Sequence, residues 1–164
     1  MTNSTNAKLL VTGQFALLAA LGIAALANVH SKVHNYLILE SSLLAIGILV
    51  LFFAWQSLRP SLQISPLPKE GAIFISRGIY KYVRHPMYLG VILIGCGLAS
   101  FSDSAVSWIL EFLLIGTLNV KASFEDGLLR ERYPQAWHYQ KHTSKVLPCL
   151  GKSCRGGPTC SEIL

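Results

Sequence analysis

The residues best suited to chemistry in this chain lie in the segment 78–90. Arg84 and His85 stand there directly before Pro86. Proline is favoured at the first position of a helix, so we expect a helix to begin at Pro86 with His85 as its cap. A helix start carries partial positive charge and unpaired N–H groups, and Arg84 adds a full positive charge. This combination favours a ligand that is anionic or bears a carboxylate.

Three tyrosines accompany this expected helix start, namely Tyr80, Tyr82 and Tyr88. Their rings offer apolar faces to a planar group of a ligand. Arginine and tyrosine are also common anchors where a helix enters a membrane. The residues alone therefore leave two interpretations open, a ligand site and an interfacial anchor.

A second block of polar and aromatic residues begins with the adjacent acids Glu125 and Asp126. Its further members are Leu129, Tyr133, Pro134, Trp137, Tyr139, Leu147 and Pro148. A paired acid at the end of an apolar stretch can bind an ammonium group or hydroxyls.

The two blocks together resemble the isoprenylcysteine carboxyl methyltransferase family, and the related phospholipid N-methyltransferases share much of the pattern. Gly78-x-Tyr80 and Arg84-His85-Pro86-x-Tyr88 match the first signature of that family. The adjacent acids followed by Tyr133-Pro134 match the second. The match runs from residue 72 to residue 148, nearly half of the chain, and its motifs are specific for the superfamily rather than for one substrate.

The resemblance implies an S-adenosylmethionine-dependent methyltransferase whose cofactor binds on the cytoplasmic side, between the two blocks. By position, it implies the following cofactor contacts: Ala72, Ile75, Tyr80, His85, Pro86, Met87, Tyr88 and Glu125. We expect the catalytic roles to fall on Arg84, which would hold the carboxylate of the cofactor, and on Glu125, which would pair with its ammonium or ribose hydroxyls.

Lys121 stands where the prenylcysteine enzymes have an arginine associated with the substrate, so the resemblance implies that it binds substrate. Lysine keeps the positive charge but lacks the bidentate fork of arginine. We expect a lipophilic or small methyl acceptor, with carboxyl O-methylation of an isoprenylcysteine-like molecule favoured. The alternatives are N-methylation of a phospholipid or another amine, and a non-catalytic membrane protein that retains the fold.

Long apolar stretches must position these residues, and they occur at 9–29, 36–58 and 87–122. Each of the first two can cross ~30 Å of hydrocarbon as a helix. The third would be ~54 Å long as one helix, and the segment Phe101-Ser102-Asp103-Ser104 predicts a turn within it. We therefore expect an all-α integral membrane protein with four helices, near 9–29, 36–58, 87–101 and 104–122, the last two forming a hairpin.

Charge supports a membrane protein and predicts its orientation. Charged residues make up 13% of the sequence, against about 25% in soluble domains. The net charge is +6, and most basic residues lie in 59–84 or from Lys121 onward. The positive-inside rule places these regions and both termini in the cytoplasm. Nucleic-acid binding is disfavoured, because the chain lacks a continuous basic face interleaved with aromatic residues.

We expect one membrane domain over residues 1–148, with a cytoplasmic helical segment at 123–148 and a disordered tail at 149–164. The tail contains Cys149, Cys154 and Cys160, whose spacing is unlike that of most zinc sites, so no metal is predicted. Residues 9–29 could instead be a cleaved signal segment, because Ala25-Leu26-Ala27 resembles a cleavage site. Glu111 falls within the last apolar stretch, where an ionisable group either lines a substrate path or is protonated and hydrogen-bonded between helices.

Overall fold

The computed structural model describes residues 2–28, 37–58, 78–132 and 136–147, and regular structure in these ranges is helical. The elements in chain order are α1 (Thr2–Ala27), α2 (Leu37–Leu58), a 3₁₀ helix (Gly78–Lys81), α3 (Pro86–Ser102), α4 (Ala105–Arg132) and α5 (Ala136–His142). The predicted all-α fold is confirmed. The positions Ala72 and Ile75 and the expected tail at 149–164 lie outside the described residues.

Three of the described helices are long and apolar enough to cross a membrane, with candidate spans at Ala7–Ala27, Leu37–Leu58 and Ala105–Glu131. The shorter apolar helix α3 has 17 residues, or ~25 Å of helix. Large apolar side chains such as Ile23, Ile38 and Phe112 are exposed on these helices. Lipid tails solvate such surfaces where water does not, so the chain is a multi-pass membrane protein.

The turn between α3 and α4 lies where the polar residues predict it. Asp103 adopts the left-handed conformation with φ 44°, and its N–H donates to the carbonyls of Ala99 and Ser100. This turn ends α3 after Ser102 and lets α4 begin at Ala105. The two helices consequently form the expected antiparallel hairpin.

Two helices extend beyond their expected ends. α4 continues from the expected end at residue 122 to Arg132, and α1 begins at Thr2 instead of residue 9. Hydropathy predicts a helix end where apolar residues give way to polar ones. Backbone hydrogen bonding does not stop at that boundary, and residues 123–132 are mostly good helix formers. Glu125 and Asp126 therefore lie on the same continuous helix as Lys121.

Glycines allow α2 and α3 to approach closely. A Cβ atom at Gly90 would lie 2.7 Å from Cγ of Leu51 and 3.0 Å from the carbonyl oxygen of Gly47. Small residues allow this kind of backbone approach in lipid. On its other side α3 packs with α1 and α4 around a core that includes Leu21, Leu114 and Leu118.

Glu111 is buried between α3 and α4. Its side chain packs directly against Gly95, where an added Cβ would collide with the carboxylate. The thiol of Cys96 lies 3.6 Å from Oε1 of Glu111. Within the described residues Oε2 has no hydrogen-bond partner.

Candidate functional site

The start of α3 has the backbone arrangement that the sequence predicts. His85 is the N-cap residue and Pro86 occupies the first turn, where its missing N–H leaves no bond unmade. The His85 side chain, however, makes no capping hydrogen bond to the helix. It contacts the acids of α4 instead, because Asp126 and Glu125 lie within reach of its two ring nitrogens.

Asp126 joins the two residues that precede α3. Its Oδ2 accepts a hydrogen bond from Nη1 of Arg84 at 2.5 Å, and its Oδ1 lies 3.0 Å from Nε2 of His85. Asp126 and His85 are buried and Arg84 is nearly so. A charge-assisted network in such a place fixes the side chains that it joins.

Glu125 lies on the other side of the same imidazole. Its Oε2 is 3.6 Å from Nδ1 of His85, and its side chain is 19% exposed. The Glu125 carboxylate also interacts electrostatically with the Tyr88 hydroxyl. Glu125 therefore remains more accessible than Asp126 while contacting the start of α3.

Aromatic rings cover the buried side of the site. The rings of His85 and Tyr88 stack with a centroid distance of 5.2 Å and an interplanar angle of 5°. Tyr80 is buried as well. Burial, and to a smaller extent the charge of Glu125, raises the pKa of Tyr80 to about 12, so its phenol is neutral at physiological pH. Tyr82 is exposed, as an interfacial anchor would be.

The segment after α5 closes the site from the C-terminal side. Ser144 forms a parallel bridge with Val83 and accepts a hydrogen bond from the Arg84 N–H at 2.8 Å. The His85 N–H donates to the carbonyl of Lys145 at 3.0 Å, and Nε of Arg84 donates to the carbonyl of Thr143 at 3.0 Å. These bonds fix the backbone that presents Arg84 and His85.

Lys121 approaches Tyr88 from α4. Its Nζ lies 5.0 Å from the centroid of the Tyr88 ring, a cation–π arrangement. The same ammonium donates a hydrogen bond of 3.0 Å to Oε1 of Gln14 on α1. The site is therefore formed by α1, α3, α4 and the segment after α5.

The family model for phospholipid methyltransferase matches residues 36–136. This region contains α2, α3 and α4, together with the network of Arg84, His85 and Asp126. The chain belongs to the phospholipid methyltransferase family. It is therefore a membrane methyltransferase that uses S-adenosylmethionine. No significant match is found among curated proteins or among solved structures.

The groups around the start of α3 fit the cofactor of a phospholipid methyltransferase. S-adenosylmethionine carries an ammonium, a carboxylate, ribose hydroxyls and an adenine ring. The partly accessible carboxylate of Glu125 complements the ammonium and the ribose hydroxyls, and the guanidinium of Arg84 complements the carboxylate. The buried rings of Tyr80, His85 and Tyr88 lie beside these groups.

The structure brings together most of the residues that the sequence singles out. They are Tyr80, Arg84, His85, Pro86, Tyr88, Lys121 and Glu125, with Met87 half-buried beside them. Further residues of the site have no role predicted from the sequence, namely Gln14, Thr143, Ser144 and Lys145. The sequence predicts Asp126 only as the acid adjacent to Glu125. The sequence signal for Gln14 is its polar side chain inside an apolar stretch. The signal for Asp126 is its position next to Glu125.

Proposed function

We propose that this phospholipid methyltransferase family member methylates the carboxyl group of a lipophilic, isoprenylcysteine-like acceptor that enters from the bilayer. The observation that carries the proposal is the buried ammonium of Lys121 over the ring of Tyr88. A fixed positive charge beside the cofactor residues can bind the carboxylate of an acceptor whose apolar tail remains between the helices. Lys121 would thus be the substrate-binding residue.

The cofactor would be held by Tyr80, His85, Pro86, Met87, Tyr88 and Glu125, with Ala72 and Ile75 as further contacts. Glu125 would bind the ammonium or the ribose hydroxyls, and Arg84 the carboxylate. A guanidinium has five N–H donors, and its hydrogen bonds within the described residues involve Nε and Nη1. Arg84 can therefore remain bound to Asp126 and still donate to a ligand.

When bound, S-adenosylmethionine supplies an electrophilic methyl group on a sulfonium. The protein must align the acceptor oxygen with this methyl group and keep water away. Lys121 would orient the acceptor, while the bonds of Ser144 and Lys145 to the start of α3 hold the cofactor residues in place. A carboxylate acceptor is ionised at neutral pH, so the reaction requires no general base.

N-methylation of a phospholipid amine is the second candidate. The name of the matching family favours it, and so do the adjacent acids of α4, which can bind an ammonium head group. The products separate the two reactions. A methyl ester releases methanol in base, whereas an N-methyl amine does not.

We further propose that the chain folds as one membrane domain over residues 1–148 with both termini in the cytoplasm. The concentration of basic residues before α3 and after α4 supports this orientation. The cofactor site would then lie at the cytoplasmic membrane face, where the cofactor is available.

The test of the site is cofactor binding by the purified full-length protein in detergent, measured with labelled S-adenosylmethionine. We expect His85→Ala and Glu125→Ala each to weaken binding at least tenfold. Lys81→Ala is a suitable control, because this exposed side chain lies in the 3₁₀ helix near the site. Wild-type affinity in both site variants would show that the cofactor binds elsewhere.

A further inference from the structure

Lys121 is a buried cation that is held in place by the neutral side chain of Gln14. The side chains of Lys121 and Gln14 are 6% and 8% exposed. Gln14 lies on α1, outside the residues 36–136 that the family model matches. Helix α1 therefore adds a residue to the site from outside the region that matches the family model.

The bonding of this ammonium is incomplete. An ammonium has three N–H donors, and within the described part of the chain Lys121 makes one hydrogen bond, to Gln14. Glu125, about one turn further along α4, attracts the charge electrostatically, but the proposed function assigns that carboxylate to the cofactor. Burying a charge without a paired anion is costly, so an anion bound beside Lys121 would be stabilised.

We infer that Gln14 is a positioning residue for a methyl acceptor with an anionic head group, either a carboxylate or a phosphate. Its amide oxygen holds the Lys121 ammonium beside Tyr88 without neutralising it, so the positive charge stays available to the acceptor. The inference rests on the proposed function in one respect, the role of Lys121 as acceptor contact. It adds that the specificity of the acceptor site depends on α1.

A purely structural role for Gln14, as a tether between α1 and α4, predicts a different response to substitution. In Gln14→Glu the new carboxylate would pair with Lys121, so the tether would be kept or strengthened. The same carboxylate would compete with the anionic head group of the acceptor. A tether therefore predicts unchanged acceptor kinetics, whereas positioning predicts a higher KM for the acceptor.

The experiment uses full-length protein in phosphatidylcholine vesicles with labelled S-adenosylmethionine. The two acceptors are an S-prenylated N-acetylcysteine, which offers a carboxylate, and phosphatidylethanolamine, which offers a phosphate beside its amine. For the acceptor that the wild type methylates, we expect Gln14→Glu to raise the acceptor KM at least tenfold. The KM for S-adenosylmethionine should stay within twofold of the wild-type value.

Asn119→Asp is the matched control, because it makes the same amide-to-acid change on an exposed position of α4 two residues before Lys121. It should leave the acceptor KM within twofold of the wild type. Gln14→Leu, which removes the hydrogen bond without adding charge, should raise the acceptor KM less than Gln14→Glu does.

The outcomes separate the inference from the proposed function. An acceptor KM in Gln14→Glu that equals that of the wild type or of Asn119→Asp would overturn the inference. If the wild type methylated only phosphatidylethanolamine, the proposal of a carboxylate acceptor would be overturned. The KM of Gln14→Glu for that lipid would then decide the role of Gln14. Methylation of neither acceptor by the wild type would overturn both.

Discussion

The guanidinium of Arg84 and the carboxylate of Asp126 form a hydrogen-bonded ion pair that joins the residue before the α3 cap to the final turns of α4. The second carboxylate oxygen of Asp126 contacts His85. One acid therefore fixes both residues that precede the helix start, and the site depends on the extension of α4 beyond residue 122.

Replacing Asp126 by asparagine should damage both stability and cofactor binding. The amide keeps the shape of the side chain but removes the negative charge, which leaves the largely buried Arg84 without its counter-ion. Loss of one partner of a buried pair costs ~3 kcal/mol of unfolding free energy or more. We expect a lower Tm in detergent and at least tenfold weaker binding of S-adenosylmethionine.

Glu131→Gln controls for the loss of an acid near the same end of α4, because Glu131 is exposed. It should resemble the wild type in both measurements. If Asp126→Asn also resembled the wild type, the ion pair would not organise the site.

The ring of Tyr88 should matter more than its hydroxyl. Tyr88→Phe keeps the stacking on His85 and the contact with Lys121, and it loses the interaction with Glu125. Tyr88→Ala loses all three, and stacked rings and cation–π contacts each contribute ~1 kcal/mol. Because ~1.4 kcal/mol corresponds to a tenfold change in affinity, we expect the KM for S-adenosylmethionine to rise at least tenfold in Tyr88→Ala and clearly less in Tyr88→Phe.

The exposed ring of Tyr82 provides the control pair. Tyr82→Phe and Tyr82→Ala should both leave the KM for S-adenosylmethionine unchanged. Equal effects of Tyr88→Phe and Tyr88→Ala would assign the role of Tyr88 to its hydroxyl instead of its ring.

Apolar length and turn residues predict most of the helical framework. The hairpin turn at Asp103 follows from the polar interruption at 102–104, because a continuous helix would exceed the membrane thickness. The predicted helices α1 and α4 are too short, because hydropathy indicates where the lipid ends and not where helical hydrogen bonding ends. The extension of α4 matters most, because it carries Glu125 and Asp126.

The site was only partly predictable. The helix start at Pro86 and the acid at Glu125 follow from local chemistry and from the motif. The pairing of Val83 with Ser144 and the bond between Gln14 and Lys121 join positions that are distant in the chain. Such pairings leave no periodic pattern in one sequence, so they become visible only in the folded structure.

Gly90 should tolerate no larger side chain. In Gly90→Ala the new Cβ would lie 2.7 Å from Cγ of Leu51 and 3.0 Å from the carbonyl of Gly47, so α2 and α3 must separate. Overpacking of this kind costs ~1–3 kcal/mol. We expect a lower Tm, and partial recovery of Tm in the double variant Gly90→Ala, Leu51→Ala.

Gly116→Ala on α4 is the matched control, because an added Cβ there meets no atom of the described residues within 4 Å. Alanine in a helix interior is favoured over glycine by ~0.5–1 kcal/mol, so Tm should rise slightly. A fall of Tm in Gly116→Ala equal to that in Gly90→Ala would contradict close packing as the cause.

The proposed orientation can be tested with the cysteines of the tail. Cys149, Cys154 and Cys160 follow the span Ala105–Glu131, so they should react with a membrane-impermeant maleimide in inside-out vesicles and stay unlabelled in intact cells. A variant with all three replaced by serine gives the background from Cys96, which is only partly buried in α3. Labelling in intact cells alone would reverse the orientation.

The same reagent tests whether α3 crosses the membrane with α4. The turn at Asp103 makes the two helices antiparallel, so together with α1 and α2 they should give four crossings and place both chain ends on one side. Thr5 is exposed near the start of α1. Thr5→Cys, introduced into the variant without tail cysteines, should therefore be labelled in inside-out vesicles. Labelling of Thr5→Cys from the opposite face to the tail cysteines would mean an odd number of crossings, with the short helix α3 failing to span.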